Sequence, residues 1–350
     1  MAKQLTNAAD IAAWVVAEGG APTCAAGWAR RQGDGSWREE LGGAVDTFFD
    51  LASVTKPMTA VAFARAGIPR RTLLRELLPL AEGTASASAS LELLLSHRAG
   101  LLGHVPLYLP LVTGEPFDRH DALRAAADSR RPDAQGEPPH EGFAPVYSDL
   151  SFALAGEALA RARGVIDAGA AIDELVVQRL GLSGELGTAR ELAARGIPLA
   201  TRVAPTEDVP FRGGVVRGVV HDENAWALTG TGGSGHAGMF GTLRSVMTFG
   251  RHVLESQEEL AWLLRERQGG TLRAGFDGKS EAGSSVGTLA SPRTYGHLGF
   301  TGTSLWIDPD VGAVVVLLSN RVHPTRNNAK LRELRPLCHD ALFALARASV

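Results

Sequence analysis

Ser53 and Lys56 are the residues whose types and spacing point most directly to chemistry. The apolar residues around them recur at helical spacing, which predicts a helix from about Ser53 to Gly67. Residues three apart share a helix face, so the Lys56 amine is expected beside the Ser53 hydroxyl. A serine needs a neighbouring base to act as a nucleophile, and a desolvated lysine can supply one. Free N–H groups at the helix start would help to hold an oxyanion.

The same pair also fits a purely structural interpretation, in which Ser53 caps a helix and Lys56 lies on its solvated face. Composition bears on this choice, because only four of the 35 basic residues are lysines: Lys3, Lys56, Lys279 and Lys330. Arginine is therefore the default cation of this chain. A lysine within a Ser-x-x-Lys pattern favours chemistry, but the pair needs partners.

Two later motifs offer such partners. Tyr147-Ser148-Asp149 follows a loop over 131–145 that is rich in Pro, Gly and charge, and it opens a predicted helix. A tyrosine whose pKa is lowered by a nearby ammonium can act as a general base. His297-Leu298-Gly299 precedes a predicted strand, where glycine permits close approach of a substrate and an N–H could bind an oxyanion. The alternatives are an aromatic residue packed at a helix entrance and a surface histidine.

Taken in order, these motifs resemble those of the serine β-lactamase and penicillin-binding protein superfamily, most closely its class C-like branch of esterases and D,D-peptidases. Stretches 94–101, 218–224, 235–241 and 318–324 are similar to the esterase-like members, and the resemblance covers roughly 10–345. It implies that Ser53 is acylated while Lys56 and Tyr147 share proton transfer. It also implies an oxyanion hole formed by the backbone N–H groups of Ser53 and Phe300, beside Gly299.

Two departures from the family pattern concern the substrate. Asp149 stands where an asparagine is common, and His297 stands where β-lactamases usually carry a lysine. Both changes argue against efficient β-lactam hydrolysis. We therefore predict a serine hydrolase that acts through an acyl-enzyme on a small ester or a D-amino-acid peptide or amide. The alternative is a catalytically silent member that binds a peptide-like ligand or a partner. A Ser-His-Asp hydrolase is disfavoured because Ser53 lacks the Gly-x-Ser-x-Gly elbow.

The elements that must position these residues follow from periodicity and turn signals. The sequence predicts helices over 5–18, 53–67, 73–80, 91–96, 118–130, 149–163, 168–180, 245–266 and 328–346, and strands over 21–31, 36–49, 299–307 and 312–319. Strands at both ends predict an α+β fold in which the two termini form one antiparallel sheet flanked by helices. We expect a single β-lactamase-like catalytic domain over 1–350, with its α/β part at about 1–70 and 285–350 and a mostly helical lobe at about 71–284.

Composition narrows the partners and the setting. A net charge of −3 argues against nucleic acid, and 45% hydrophobic residues suit a soluble globular protein. Cys24 and Cys338 are predicted to be reduced, buried thiols. Since we find no signal peptide and no run long enough to span a bilayer, we expect a cytoplasmic protein, or a secreted or periplasmic one if a leader was omitted. The expected partner is a small-molecule or short peptide substrate, and the oligomeric state is left open.

Other polar clusters are interpreted as structural. The stretch His221-Asp222-Glu223-Asn224 and the more distant His236 do not have the spacing of metal ligands. We therefore predict that they form hydrogen bonds that brace loops, and that they bind no metal. The glycines of 229–241 lack a Gly-Lys-Ser/Thr sequence, which argues against a phosphate cradle, and no cofactor is expected. His97 is predicted to close a helix and fix a loop.

Overall fold

A six-stranded antiparallel sheet is the framework of the protein, whose computed structural model describes residues 5–349. The strands are β1 (Cys24–Arg31), β2 (Trp37–Gly43), β3 (Phe49–Asp50), β4 (Leu186–Gly187), β5 (Asp208–Val209), β6 (Gly214–Val215), β7 (Phe240–Gly241), β8 (Asp277–Gly278), β9 (Tyr295–Leu298), β10 (Ser304–Asp308) and β11 (Ala313–Ser319). The large sheet has the order β2-β1-β11-β10-β9-β8. Cys24 of β1 pairs with Ser319 of β11, which confirms the predicted sheet built from both ends of the chain.

The helices are α1 (Ala8–Ala17), α2 (Thr55–Ala66), α3 (Leu74–Leu77), α4 (Leu91–Leu95), α5 (Leu109–Thr113), α6 (Arg119–Asp128), α7 (Asp149–Arg163), α8 (Ala168–Ile172), α9 (Ala189–Ala194), α10 (Leu199–Arg202), α11 (Glu223–Thr229), α12 (Leu243–Glu255), α13 (Ala261–Leu264) and α14 (Lys330–Ala348). Between β2 and β8 the chain is mostly helical, with α7 packed against α4, α6 and α8. No helix within residues 5–349 is both long and apolar enough to cross a membrane.

Alternation along β11 explains how the sheet is covered on both faces. Every residue of this strand is buried, and successive side chains point to opposite faces. Val314 and Val316 join the core that includes α2, α7 and α12, whereas Val315 and Leu317 join the core formed with α1 and α14. The sheet is thus a middle layer that fixes the helix carrying Lys56 on one of its faces.

The predicted strand over 299–307 is wrong in its first half. Residues 299–303 form a turn between β9 and β10, and His297 lies upstream within β9. The chain leaves the sheet here because Gly302 adopts a φ of 112°, and because Thr301 and Thr303 bond to backbone carbonyls of a distant segment. The predicted strand over 36–49 also divides, because Gly43 turns the chain with a φ of 80°. Its last part, β3, joins β7 and β4 in a separate small sheet.

Several predicted helices are shorter or interrupted. The helix expected over 73–80 is the single turn α3, because Pro79 disfavours helical geometry at Leu78 before it. The helix expected over 168–180 is α8 followed by a π-helical turn, Asp173–Val177, and a 3₁₀ turn, Gln178–Leu180. The helix expected over 245–266 is divided into α12 and α13. By contrast, α7 has the predicted bounds and ends at Gly164 with a φ of 67°.

The two cysteines are free and buried, as predicted. Both lie in the core between the sheet and helices α1 and α14. Burial raises the pKa of the Cys338 thiol to about 12, and burial also raises the pKa of Cys24 well above its usual value. Both side chains are therefore protonated thiols that contribute packing.

Candidate active site

Ser53 lies in a 3₁₀ turn, Ala52–Val54, that joins β3 to α2. Ala52 has a φ of 46°, in a region that a residue with a β-carbon rarely adopts, so the turn needs outside support. Asp50 supplies it: its Oδ1 accepts the Ala52 N–H at 2.8 Å and its Oδ2 accepts the His221 N–H at 2.7 Å. The sequence analysis did not assign this role to Asp50. Its only local signal is a carboxylate two residues before a turn.

Lys56 lies in the first turn of α2, and its side chain is fully buried. Its Nζ atom is 2.8 Å from Ser53 Oγ, 2.6 Å from Tyr147 OH and 2.7 Å from Asp149 Oδ1. Tyr147 OH in turn lies 2.8 Å from Ser53 Oγ. The structure therefore brings these four predicted residues together, and the alternative of a solvated Lys56 is wrong. An ammonium has three N–H donors, and these three oxygens are its closest acceptors; the His236 carbonyl lies farther away, at 3.4 Å.

The pKa values of Lys56 and Tyr147 are both raised above their usual values. Burial by itself lowers the pKa of Lys56, but the charge of Asp149 and the hydrogen bonds that Lys56 donates to Asp149 and Tyr147 raise it above its usual value. Although Tyr147 is 38% exposed, desolvation of its hydroxyl raises its pKa, and Asp149 adds to the rise, whereas the Lys56 ammonium opposes it. The expectation of a lowered Tyr147 pKa is thus wrong. At neutral pH the resting cluster holds an ammonium and a neutral phenol.

His97 fixes the approach of the chain to Tyr147. Its ring stacks on the Tyr147 ring with centroids 4.8 Å apart, and its Nδ1 accepts the Ser148 N–H at 3.0 Å. Its carbonyl accepts the Val146 N–H at 3.2 Å. Burial, followed by the nearby Lys56 charge, lowers the pKa of His97 well below its usual value, so the ring is neutral. These contacts confirm its predicted role in holding the loop.

The turn 299–303 is tied directly to the segment before Ser53. Thr301 Oγ1 donates to the Asp50 carbonyl at 2.7 Å, and Thr303 Oγ1 donates to the Leu51 carbonyl at 3.0 Å. Gly299 permits this approach, because a β-carbon there would lie 1.9 Å from Thr303 Oγ1. These hydrogen bonds therefore hold the turn 299–303 at a fixed distance from the segment before Ser53.

Each of these segments presents an N–H group without an acceptor. Within residues 5–349, neither the Ser53 N–H nor the Phe300 N–H donates a hydrogen bond. Free N–H groups on rigid segments are the usual components of an oxyanion hole. The arrangement can therefore bind an oxygen that gains negative charge beside Ser53.

His297 is buried in β9, so the alternative of a surface histidine is wrong. Its Nδ1–H donates to the Leu298 carbonyl at 2.7 Å. Burial, with a smaller effect of the Lys56 charge, lowers the pKa of His297 to about 3. Its ring centroid is 5.9 Å from that of Tyr147. A neutral ring thus occupies the position at which, according to the resemblance, β-lactamases usually carry a lysine.

A cavity of about 200 Å³ opens beside Ser53, and Asp149, Asp222, Glu223, Tyr108 and Phe300 are among its lining residues. The neighbouring loops are braced by charged hydrogen bonds, as predicted for 221–224 and His236. His236 Nε2 lies 2.8 Å from Asp222 Oδ1. The sequence analysis missed Glu207, which belongs to the same hydrogen-bond network. Its carboxylate lies 2.9 Å from His221 Nε2 and 2.5 Å from Arg326 Nε.

Apolar side chains are exposed around this cavity. Helix α5 follows Tyr108 directly and buries none of its residues, although it carries Leu109, Leu111 and Val112. The Tyr108 ring stacks on Phe211 with centroids 6.0 Å apart, and Phe211 is exposed. The Phe300 side chain is exposed as well. Exposed apolar surface beside a cavity is suited to an apolar ligand.

A possible metal-ligand group that the sequence analysis did not name is formed by Asp118, His120 and Asp121. All three side chains are exposed at the start of α6, where acidic residues also favour the helix dipole. They are separate from the cavity beside Ser53, whose lining includes none of them.

The β-lactamase family model matches residues 3–337. The chain belongs to the β-lactamase family. A protein of Salmonella gallinarum named as a D-alanyl-D-alanine carboxypeptidase is 35% identical over 157 residues, which cover 41% of this chain and 36% of that protein. The match thus spans little more than a third of that relative.

Solved structures of the β-lactamase family confirm the predicted fold. EstCE1, described as a hydrolase with promiscuous acyltransferase activity, has a TM-score of 0.67 at 19% identity, with 95% of this chain and 96% of that chain covered. A class C β-lactamase from Rhodobacter sphaeroides has a TM-score of 0.65 at 19% identity, with 95% and 97% covered. The protein accordingly has the β-lactamase fold.

Proposed function

We propose that this protein is a serine hydrolase that forms an acyl-enzyme on Ser53, with an uncharged ester that carries an apolar acyl group as its substrate. The observation that carries the proposal is the position of Lys56 Nζ, within 2.8 Å of Ser53 Oγ and also bonded to Tyr147 and Asp149. A binding module has no need for a buried amine shared by a serine and a tyrosine. This argues against the catalytically silent alternative.

The proposed reaction starts when the Lys56–Tyr147 pair loses one proton to solvent. Ser53 Oγ attacks the ester carbonyl carbon while its proton passes to that pair, and the Ser53 and Phe300 N–H groups bind the oxyanion. The C–O bond of the leaving alcohol then breaks, and the pair returns the proton to that alcohol. A water molecule repeats the sequence on the acyl-enzyme and releases the acid.

Charge near Ser53 favours an uncharged substrate. His297 is neutral, and the cavity contains the carboxylates of Asp149, Asp222 and Glu223. The guanidinium of Arg326, which also lines the cavity, is bonded to Glu207 and Glu223. Lys56 and Arg326 are thus already paired, with Asp149 and with Glu223, so neither is free to bind a substrate that ends in a carboxylate. The exposed apolar side chains of α5, Phe211 and Phe300 support an apolar acyl group.

The second candidate substrate is a D-amino-acid amide or peptide with a free amino group. The carboxylates that line the cavity favour it, because their oxygens could accept hydrogen bonds from an ammonium group on the acyl side. Short-chain esters, D-alanyl amides and peptides, and a cephalosporin should therefore be compared on one enzyme preparation. The proposal predicts that neutral esters with longer acyl chains have the highest kcat/KM.

The test is to detect the acyl-enzyme by intact mass and peptide mapping after exposure to a reactive ester. We expect an adduct on Ser53 in the wild type and none on that peptide in Ser53→Ala. Tyr147→Phe should reduce turnover by about 10²–10⁴-fold. Tyr108→Phe is the matched control, because it removes a hydroxyl from the same cavity away from Ser53 Oγ. Unchanged turnover in Ser53→Ala, or equal losses in the two tyrosine variants, would overturn the assignment.

A further inference from the structure

A second group of charged residues surrounds Glu92 of α4, whose side chain is 1% exposed. Four arginines lie within 4 Å of its carboxylate: Arg70 at 3.6 Å, Arg71 at 3.4 Å, Arg265 at 3.4 Å and Arg267 at 2.8 Å. One carboxylate cannot balance four guanidinium groups. The cluster is therefore strongly positive, and the proposed hydrolysis does not use it.

A cavity of about 310 Å³ adjoins this cluster, lined by Arg98, Arg265, Arg267, Glu141, Glu266 and Gln268. It shares no lining residue with the cavity beside Ser53. Arg98 is 6% exposed, yet within residues 5–349 it forms no ion pair. Its guanidinium donates to the Gln268 carbonyl, and its Nε lacks an acceptor. Arg98 is thus a buried cation without an anion.

The carboxylates at the cavity wall do not supply the missing charge. Glu141 is exposed and lies 2.9 Å from Arg265, and Glu266 is exposed and lies 3.0 Å from Arg273. Burial lowers the pKa of Arg98, and the neighbouring charge of Arg267 lowers it further, while the charge of Glu141 offsets these effects only in part. Burial also lowers the pKa of Arg267. Buried guanidinium groups that repel one another would gain stability from an anion between them.

We propose that this cavity is a binding site for a compact dianionic oxyanion, such as phosphate or the phosphate group of a monoester, held by Arg98, Arg265 and Arg267. Planar guanidinium groups match such ligands because each can donate two parallel hydrogen bonds. Several cations with free N–H groups favour a dianion over a monovalent anion. The site goes beyond the proposed hydrolase function.

The position of Arg98 connects this site to the loop that carries Tyr147. The Arg98 carbonyl accepts the Phe143 N–H at 3.0 Å, and a β-carbon on Gly142 would lie 2.5 Å from Arg98 Cβ. Arg98 also follows His97, which stacks on Tyr147. A bound dianion should therefore stabilise the loop before Tyr147 as well as the arginine cluster.

The test is calorimetric titration and thermal unfolding of the full chain with inorganic phosphate and with sulfate at pH 8, at constant ionic strength set with chloride. We expect saturable binding and a rise in Tm with both dianions, and neither effect with acetate. Glycerol phosphate as a further ligand separates a site for phosphate monoesters from one for free phosphate. None of these readouts depends on hydrolysis.

Two substitutions test the residues, with one matched control. Arg98→Met should raise the phosphate Kd at least tenfold, whereas Glu141→Gln should lower it, because a carboxylate that competes for Arg265 is removed. Arg217→Met, at an exposed arginine that donates to the Ala200 carbonyl, should leave the Kd unchanged. Absence of saturable dianion binding would overturn the proposal, as would an unchanged Kd in Arg98→Met. If Arg98→Met does not fold, Glu141→Gln decides: a lower Kd supports the site and an unchanged Kd overturns it.

Discussion

Asp149 Oδ1 lies 2.7 Å from Nζ of Lys56, in an ion pair whose lysine side chain is completely buried. Burial alone would favour a neutral amine, but Asp149 and Tyr147 together outweigh burial and raise the Lys56 pKa. Position 149 thus determines how readily the cluster around Ser53 can release a proton. The resemblance implies that an asparagine is common at this position. An asparagine would keep a hydrogen bond to Lys56 without the charge.

We predict that kcat/KM for an uncharged ester rises with pH from 6 to 10. The proposed mechanism needs the Lys56–Tyr147 pair with one proton removed, and both pKa values are raised. The active fraction is therefore small at neutral pH and increases about tenfold per pH unit below the apparent pKa of the pair. The measurement is a pH–rate profile with Ser53→Ala as the blank for spontaneous hydrolysis. A plateau that begins below pH 8 would contradict the prediction.

Asp149→Asn should move the rising limb of that profile to lower pH. Without the carboxylate, only Tyr147 opposes the effect of burial, so the pKa of Lys56 falls, and the Tyr147 pKa loses one of the influences that raise it. Loss of a close opposite charge typically changes a pKa by about 1–3 units, so the rising limb should shift by an amount of this order. The shape of the profile is compared, not its amplitude, because Asp149 also lines the cavity. Asp208→Asn, at an exposed carboxylate, is the control, and a limb at the wild-type position would reject the role of Asp149.

The motifs around Ser53 and Tyr147 were predictable because their determinants are local. Ser53 and Lys56 are three residues apart, and α7 ends at a terminating glycine, Gly164. The strands at the two ends of the chain are apolar enough to predict a shared sheet. These features need no knowledge of distant contacts.

The turn 299–303 and the support of Ser53 could not be predicted from local patterns. Thr301 bonds to the carbonyl of Asp50, 251 residues away, and this contact removes the turn from the expected strand. The positive φ of Ala52 depends on the same tertiary support. The pKa of Tyr147 was predicted with the wrong sign, because the desolvation of its hydroxyl and its distance from Asp149 are properties of the folded chain.

Gly299→Ala should impair hydrolysis more than it impairs folding. The new β-carbon would lie 1.9 Å from Thr303 Oγ1 and 2.6 Å from the Leu51 carbonyl, so the turn that carries the Phe300 N–H must shift. Overpacking of this kind costs about 1–3 kcal/mol of unfolding free energy. Loss of one oxyanion donor typically lowers kcat by about 10²–10³-fold. Gly33→Ala is the matched control, since a β-carbon there meets nothing within 4 Å. Equal kcat in the two variants would show that the turn does not contribute to the reaction.

Lys56→Arg is the sharpest test of the Ser53–Lys56 mechanism. If position 56 needs only a positive charge, arginine should replace lysine, because a guanidinium can also pair with Asp149. The proposed mechanism requires an amine that can lose a proton beside Ser53 Oγ, and arginine stays protonated at any workable pH. We therefore expect a folded protein whose turnover falls by about 10²–10⁴-fold and which forms no acyl adduct.

The matched control for that substitution is Lys279→Arg. Lys279 Nζ donates to the carbonyls of Thr288 and Ala290, at 3.0 and 2.5 Å, and a guanidinium can make similar hydrogen bonds. This variant should keep wild-type turnover, which separates the loss of a titratable amine from a general effect of lysine replacement. Circular dichroism verifies the fold of both proteins, and intact mass after exposure to a reactive ester reports acylation. Acylation of Lys56→Arg at the wild-type rate would mean that Lys56 supplies charge alone and that the base for Ser53 lies elsewhere.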